Sequence, residues 1–242
     1  EITPGEIARI CDKLTQKGIK PSSANRYVSA LSSAFTMAVR EFGWAESNPC
    51  SKVRKLPESR GRTRFLTEDE RAALLDACEK SRARELHIMV VLALSTGARK
   101  NELRWLRWSD VDLHQGTLLF RETKNGLIRS VPIQRLAFDL LKEWGKVRLL
   151  DTDLVFPGRN PKHPVLFEKS WRKVLVTAGI KDFRFHDLRH SAASYLVMNG
   201  VNLRAVSEIL GHKTLNMVQR YSHLSPEHLR SEMAKAMEAI NL

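Results

Sequence analysis

A chain of 242 residues with a formal charge of +13 is long enough to bury one large core or two small ones, and basic enough to attract a polyanion. Its longest apolar run, Ile88 to Leu94, has the length of a buried core helix, which excludes a single helical membrane span, and no secretory signal opens it. Cys11, Cys50 and Cys78 are odd in number and lack metal-ligand spacing, which argues against a disulfide framework or zinc ribbon and for a reducing cytoplasm. The positive excess is spread over both halves of the chain, so nucleic acid leads as the partner. The first residue is Glu1, not Met, so the chain reads as a piece of a longer one.

In chain order, Thr3-Pro4-Gly5-Glu6 is a helix start, with Thr as cap, Pro at the first helical position and Glu three residues after the cap. The helix it predicts runs to about Lys17 and stops at Gly18. Pro21-Ser22-Ser23 opens a second helix, ending near Phe42-Gly43, with Tyr27, Leu31, Phe35, Ala38 and Val39 on one apolar face. Ser22, Ser23, Asn25 and Arg26 at its start suit phosphate and base-edge contacts, or form an ordinary solvated helix end. From Ser51 to Phe65 the pattern breaks into a basic stretch around Pro57 and Gly61, read as a linker. Leu66-Thr67-Glu68-Asp69-Glu70 then gives a second capping box and begins a new domain.

Helices are expected over about 68–80 and 84–95, the latter ended by Gly97. The segments 111–113, 117–121 and 128–133 read as short strands, with Asn125-Gly126 as a hairpin turn. Helices return at about 135–146, 167–178, 186–198, 203–210 and 226–240. The expected class is mainly α with a small antiparallel β-sheet (α+β).

Several residues suit phosphate chemistry. Arg99 opens a helix, where N-terminal amides favour anions, and Glu102 three residues on either holds its guanidinium or forms a plain surface ion pair. His186 and Arg189 share a helical face and can reach one ligand. His190, one turn after His186, raises a zinc alternative, disfavoured because no third ligand is evident and Arg189 adjoins. Lys124 precedes the Asn125-Gly126 turn, His212 follows Gly211 at a helix stop, and Tyr221 stands nine residues after His212. Read singly, each has an ordinary structural explanation.

Together, Thr96-Gly97-Ala98-Arg99-Lys100-Asn101-Glu102-Leu103, Thr123-Lys124-Asn125-Gly126, His186-Asp187-Leu188-Arg189-His190-Ser191, Leu210-Gly211-His212 and Tyr221-Ser222-His223 resemble the ordered signature of the tyrosine recombinases, in their phage integrase branch. The resemblance implies a partial helical core-DNA-binding domain over 1–55, a basic interdomain linker over 56–64 and a catalytic domain with a C-terminal helix over 65–242. It implies a site-specific DNA recombinase, serving phage DNA integration and excision, in which Tyr221 forms a 3′-phosphotyrosyl link and frees a 5′-hydroxyl. Arg99 and Arg189 would hold the non-bridging oxygens, His212 would donate a further hydrogen bond, His186 would accept or orient the tyrosine proton, and Lys124 would protonate the leaving oxygen. No metal or nucleotide cofactor is expected, because the covalent link retains the bond energy. The expected partners are double-stranded DNA recombination sites, other copies in a synaptic tetramer and accessory DNA-bending proteins, in the cytoplasm of a bacterial host and with no membrane. The competing readings are a DNA-binding protein with an inactive recombinase-like domain and a type IB topoisomerase-like enzyme.

Overall fold

The computed structural model of the chain describes residues 2–58, 62–121, 128–212, 214–224 and Met237. Two compact units divide the chain, Glu1–Arg62 and Thr63–Leu242. In the first, α1 (Pro4–Gln16) starts on a complete capping box: Thr3 Oγ1 accepts from the Glu6 amide, and the Glu6 carboxylate accepts from Thr3 N. α2 (Pro21–Arg40) lies beside it, and Ile7, Cys11 and Cys50 form a small core flanked by Val28, Leu31 and Phe35. Tyr27, expected on the apolar face, is 59% exposed. The buried stripe runs through Ala24, Val28, Leu31 and Phe35, and this spacing turns Tyr27 to its solvent edge.

Asn25 also departs from expectation. It is 5% exposed, its Nδ2 donates to Leu56 O at 2.9 Å and to the Glu58 carboxylate at 2.7 Å, and its Oδ1 accepts from Leu56 N at 2.9 Å. An amide side chain presents the same donor and acceptor pair as a backbone, so Asn25 acts as a pairing partner for residue 56 and cannot also read a DNA groove.

The second unit opens on another capping box, Thr67 with Glu70, at the start of α3 (Glu68–Glu79). Its centre is α4 (Arg84–Thr96), in which Leu86, Met89, Val90, Leu92 and Ala93 have no exposed surface. Full burial of each of the larger side chains contributes roughly 1.5–3 kcal/mol. Around α4 pack α3, the short α5 (Lys100–Arg104), α6 (Arg135–Gly145) and α8 (Asp187–Met198). The strands β1 (Val111–Asp112), β2 (Thr117–Phe120) and β3 (Arg129–Pro132) form an antiparallel sheet in the order β1-β2-β3, with Leu118 opposite Val131 and Phe120 opposite Arg129. α7 (Glu168–Thr177), α9 (Leu203–Leu210) and a four-residue α10 (Asn216–Gln219) complete the described α-helices. α10 was not anticipated, since one turn is too short to show periodicity. The expected hairpin turn at Asn125-Gly126, with Lys124, and the helix expected over 226–240 lie outside the described residues, apart from Met237. No helix among the described residues is long and apolar enough to cross a membrane.

Gly97 ends α4 in the left-handed region at φ 63°, and a Cβ placed there would meet Leu210 Cδ2 at 2.1 Å. Left-handed strain and forced repacking together are expected to make Gly97→Ala lose about 3 kcal/mol. Thermal denaturation should then show a midpoint lower by roughly 6–12 °C. An unchanged midpoint would mean that Leu210 rotates away without cost.

Candidate active site

Two helix ends build the floor of the site. α4 and α9 both stop on a glycine in the left-handed region, Gly97 and Gly211, each at φ 63°, a conformation that a residue without Cβ adopts freely. The carbonyls gathered at a helix C-terminus carry partial negative charge and attract cations. Each glycine carbonyl here takes one arginine. Arg189 Nη1 donates to Gly97 O at 2.7 Å, and Arg99 Nη2 donates to Gly211 O at 3.2 Å.

Glu102 locks the cluster together. Its Oε1 accepts from Arg99 Nη1 at 2.7 Å and its Oε2 from the Arg99 amide at 2.8 Å, so Glu102 holds both the guanidinium and the N-cap amide of α5. The same carboxylate accepts both terminal nitrogens of Arg129, at 3.1 and 2.7 Å. Burial alone would raise the Glu102 carboxyl, but hydrogen bonds and charge from Arg129, with those of Arg99, outweigh it and hold the carboxyl at about 2. Arg129 stacks on the Phe120 ring, 4.5 Å to the centroid, and lies so close under Gly211 that a Cβ there would meet its side chain at 3.1 Å. Two guanidinium groups, those of Arg99 and Arg129, therefore share one buried carboxylate, and a third, that of Arg189, is held beside them by Gly97 O.

The unspent polar atoms show where an anion fits. Arg189 is 4% exposed, and its Nη2, like His212 Nδ1, is buried with no hydrogen-bond partner among the described residues. Leaving a buried polar atom unpaired costs about 1–3 kcal/mol, so such atoms at the rim of a cationic cluster mark a place for an acceptor-rich ligand. Burial, then the charges of Arg99 and Arg129, push the Arg189 guanidinium down to about 9, which leaves it cationic at neutral pH. Burial followed by the surrounding arginines pushes His212 down to about 3, so it meets a ligand as neutral imidazole.

Tyr221 follows α10, 3% exposed, packed with Ala193, Val197, Val206, Leu210 and Val218. Its hydroxyl hydrogen-bonds to Nδ1 of His190, whose ring lies edge-on to that of His186 at 5.4 Å. Burial raises the phenol above its usual range, while Arg220 and Arg189 pull it back. Burial, with the neighbouring His186, takes His190 down to about 4, and burial, then Arg189, also lowers His186.

Among the residues picked out in the sequence, the structure gathers Arg99, His186, Arg189, His212 and Tyr221 within the second unit, whereas Lys124 lies outside the described residues. The phenol's described partner is His190, not the expected His186. Sequence reasoning weighed His190 only as a metal ligand, and no group of three or more potential metal ligands gathers among the described residues. His190 was traceable in the i,i+4 spacing that sets it on the face of His186. Arg129 was missed altogether; its signal was an arginine alternating with Val131 on the buried face of β3.

The depressed imidazoles set an acid limit. Unfolded histidine takes its proton near 6.5, whereas folded His190 and His212 do so only at about 4 and 3. The unfolded chain thus gains protons first as the pH falls, so this stability is complete above about pH 6.5 and is lost progressively toward pH 3, with Glu102 extending the loss below its ordinary 4.5. The thermal midpoint is expected to be level between pH 7 and 8 and to decline steadily from 6 to 4. A midpoint level down to pH 4 would mean that these imidazoles are charged in the folded protein.

The sequence model of the phage integrase family matches residues 64–228. The chain is 33% identical over 241 residues to the shufflon-specific DNA recombinase of Escherichia coli, covering 96% of this chain and 61% of that protein. It thus spans about three-fifths of that relative's length. It superposes on a lambda integrase dimer bound to a COC′ core site with a TM-score of 0.69 at 25% identity, covering 92% of this chain and 65% of that one. With the Tn1549 transposon integrase in complex with a circular intermediate DNA it shares the fold, at a TM-score of 0.78 and 18% identity over 98% of this chain and 86% of that one. Arginines, histidines and a buried tyrosine stand in the order of this signature on a shared fold, and the family match covers more than half the sequence: the chain belongs to the phage integrase family of tyrosine recombinases.

Proposed function

We propose that this chain carries the DNA strand-cleaving and rejoining activity of a site-specific recombinase, with Tyr221 as the nucleophile. The observation that carries the reading is a buried phenol in one unit with a cluster of largely buried arginines, where Arg189 Nη2 and His212 Nδ1 have no hydrogen-bond partner among the described residues. A phosphodiester oxygen supplies what those atoms lack. Arg99 and Arg189 hold the non-bridging oxygens with planar forks, the geometry in which Arg surpasses Lys. His212 adds a neutral donor, and Lys124 protonates the leaving 5′-oxygen. Attack by Tyr221 gives a 3′-phosphotyrosyl link and a free 5′-hydroxyl, which re-enters the same link or that of a partner strand.

In this reading residues 1–55 bind core DNA, 56–64 form a basic linker and 65–242 catalyse. The helix expected over 226–240 packs on its own domain or docks on a neighbouring copy in a synaptic tetramer. Double-stranded recombination sites are the substrates, accessory DNA-bending proteins assist, and the reaction takes place in bacterial cytoplasm.

The test is capture of the link. Incubated with a library of nicked duplexes of randomised core sequence, the protein should yield denaturant-stable protein–DNA adducts whose DNA, once sequenced, defines one preferred site. DNA affinity should also fall steeply with salt. Relaxation of any supercoiled plasmid without site preference would instead indicate a topoisomerase, and binding without adducts an inactive relative.

A further inference from the structure

We propose that His190 is the base that receives the phenolic proton of Tyr221 during strand cleavage. The inference rests on the proposed function and assigns the proton, which the sequence signature gave to His186, to a different residue.

The geometry is direct. Tyr221 is 3% exposed in an apolar setting of Ala193, Val197, Val206, Leu210 and Val218, and among the described contacts of its hydroxyl the hydrogen bond goes to His190 Nδ1. The imidazole reaches it from α8, one turn beyond His186 and three residues beyond Asp187. A nucleophile is activated by the base already within hydrogen-bond reach, and a base that must first displace that partner is at a disadvantage.

The step balances as follows. As Tyr221 Oη bonds to phosphorus, its O–H bond breaks and the proton moves to the lone pair on Nδ1, leaving an imidazolium protonated at both nitrogens. The bond from phosphorus to the 5′-oxygen breaks, its electron pair stays on that oxygen, and a separate donor, assigned above to Lys124, supplies that oxygen's proton. On rejoining, the imidazolium returns its proton to the departing phenolate. Transfer before attack is uphill, because burial disfavours both the phenolate and the imidazolium. Bond formation to phosphorus strips basicity from the phenolic oxygen, so transfer occurs within the transition state. The charged and titratable groups around His190 are His186 at the cap of α8, Asp187 and Arg189 on α8, and Arg220 and Tyr221 beyond α10. Asp187 favours the imidazolium, whereas His186, Arg189 and Arg220 oppose it until the substrate's negative charge arrives.

The contending role for the bond is to park the tyrosine. His190→Asn separates the two, because its amide oxygen can hold the phenol near the position of Nδ1 but cannot take the proton. Single-turnover cleavage is measured on the duplex selected above, with either oxygen or sulfur as the bridging 5′ atom; a thiolate leaves without protonation. His190→Asn should cleave both substrates about 10²–10³-fold more slowly than the unsubstituted protein. Its rate should climb with pH from 6 to 9, where the unsubstituted protein levels off. Lys124→Ala should recover on the sulfur substrate, whereas His190→Asn should not. His190→Gln, which also lacks a basic nitrogen, serves as a second variant, with DNA affinity and thermal midpoint certifying that each is folded. A rate within threefold of the unsubstituted protein, a faster rate, or rescue by sulfur overturns the assignment. If the unsubstituted protein forms no adduct on any duplex, the recombinase reading itself has failed.

Discussion

Tyr221→Phe is expected to bind duplex DNA as tightly as the unsubstituted protein and to form no covalent adduct with it. Phenylalanine fills the same space among Ala193, Val197, Val206, Leu210 and Val218, so the apolar contribution of the ring is kept. What is removed is one oxygen and its bond to His190 Nδ1, worth about 1 kcal/mol, a shift of only a few degrees in thermal midpoint. The change therefore separates chemistry from folding. Denaturing gels of the nicked-duplex reaction read the first and a melt reads the second. A labelled adduct persisting in the variant would show that another residue attacks, and the proposed role of Tyr221 would be lost.

Glu102→Gln carries the second large effect, on stability and catalysis together. The carboxylate has a 3% exposed side chain and is shared by Arg99 and Arg129 at 2.7 Å each. Neutralising it strands two cations with little solvent access, and breaking a buried pair in this way costs about 3–5 kcal/mol. For a unit of this size that is a fall in thermal midpoint of roughly 10 °C. Arg99 also loses the partner that fixes its fork, so the adduct should form at least about 10²-fold more slowly, the loss expected when one charge-stabilising donor is misplaced. A double variant sharpens the test. Glu102→Gln combined with Arg129→Met removes one stranded cation together with the carboxylate, and should be more stable than Glu102→Gln alone. Simple additivity of the two losses would show that Arg129 and Glu102 do not act as a pair.

Much of the fold was legible along the chain because it is set by neighbours in sequence. The capping boxes at Thr3 and Thr67 formed as their spacing requires, and Gly97 and Gly211 end helices where the apolar periodicity stops. The stripe on α2 was legible only in part: periodicity placed Tyr27 within reach of the apolar face, but the position of α1 decided which edge was covered. Asn25 shows the same limit. A polar residue at a helix start reads as solvated, and only the return of Leu56 and Glu58 to its amide shows that it is consumed.

The sequence by itself determined the family, the α-helical class with its small sheet, and the order of Arg99, His186, Arg189, His212 and Tyr221, since these reside in residue type and spacing. Tertiary structure alone decided how they are wired. Arg99 meets Gly211 across 112 positions, Arg129 meets Glu102 across 27, and Tyr221 meets His190 across 31. No local periodicity encodes such pairings. They follow from packing α4, α8 and α9 so that two helix ends converge, which leaves the guanidiniums of Arg99 and Arg129 on one carboxylate and brings the phenol to the imidazole of His190.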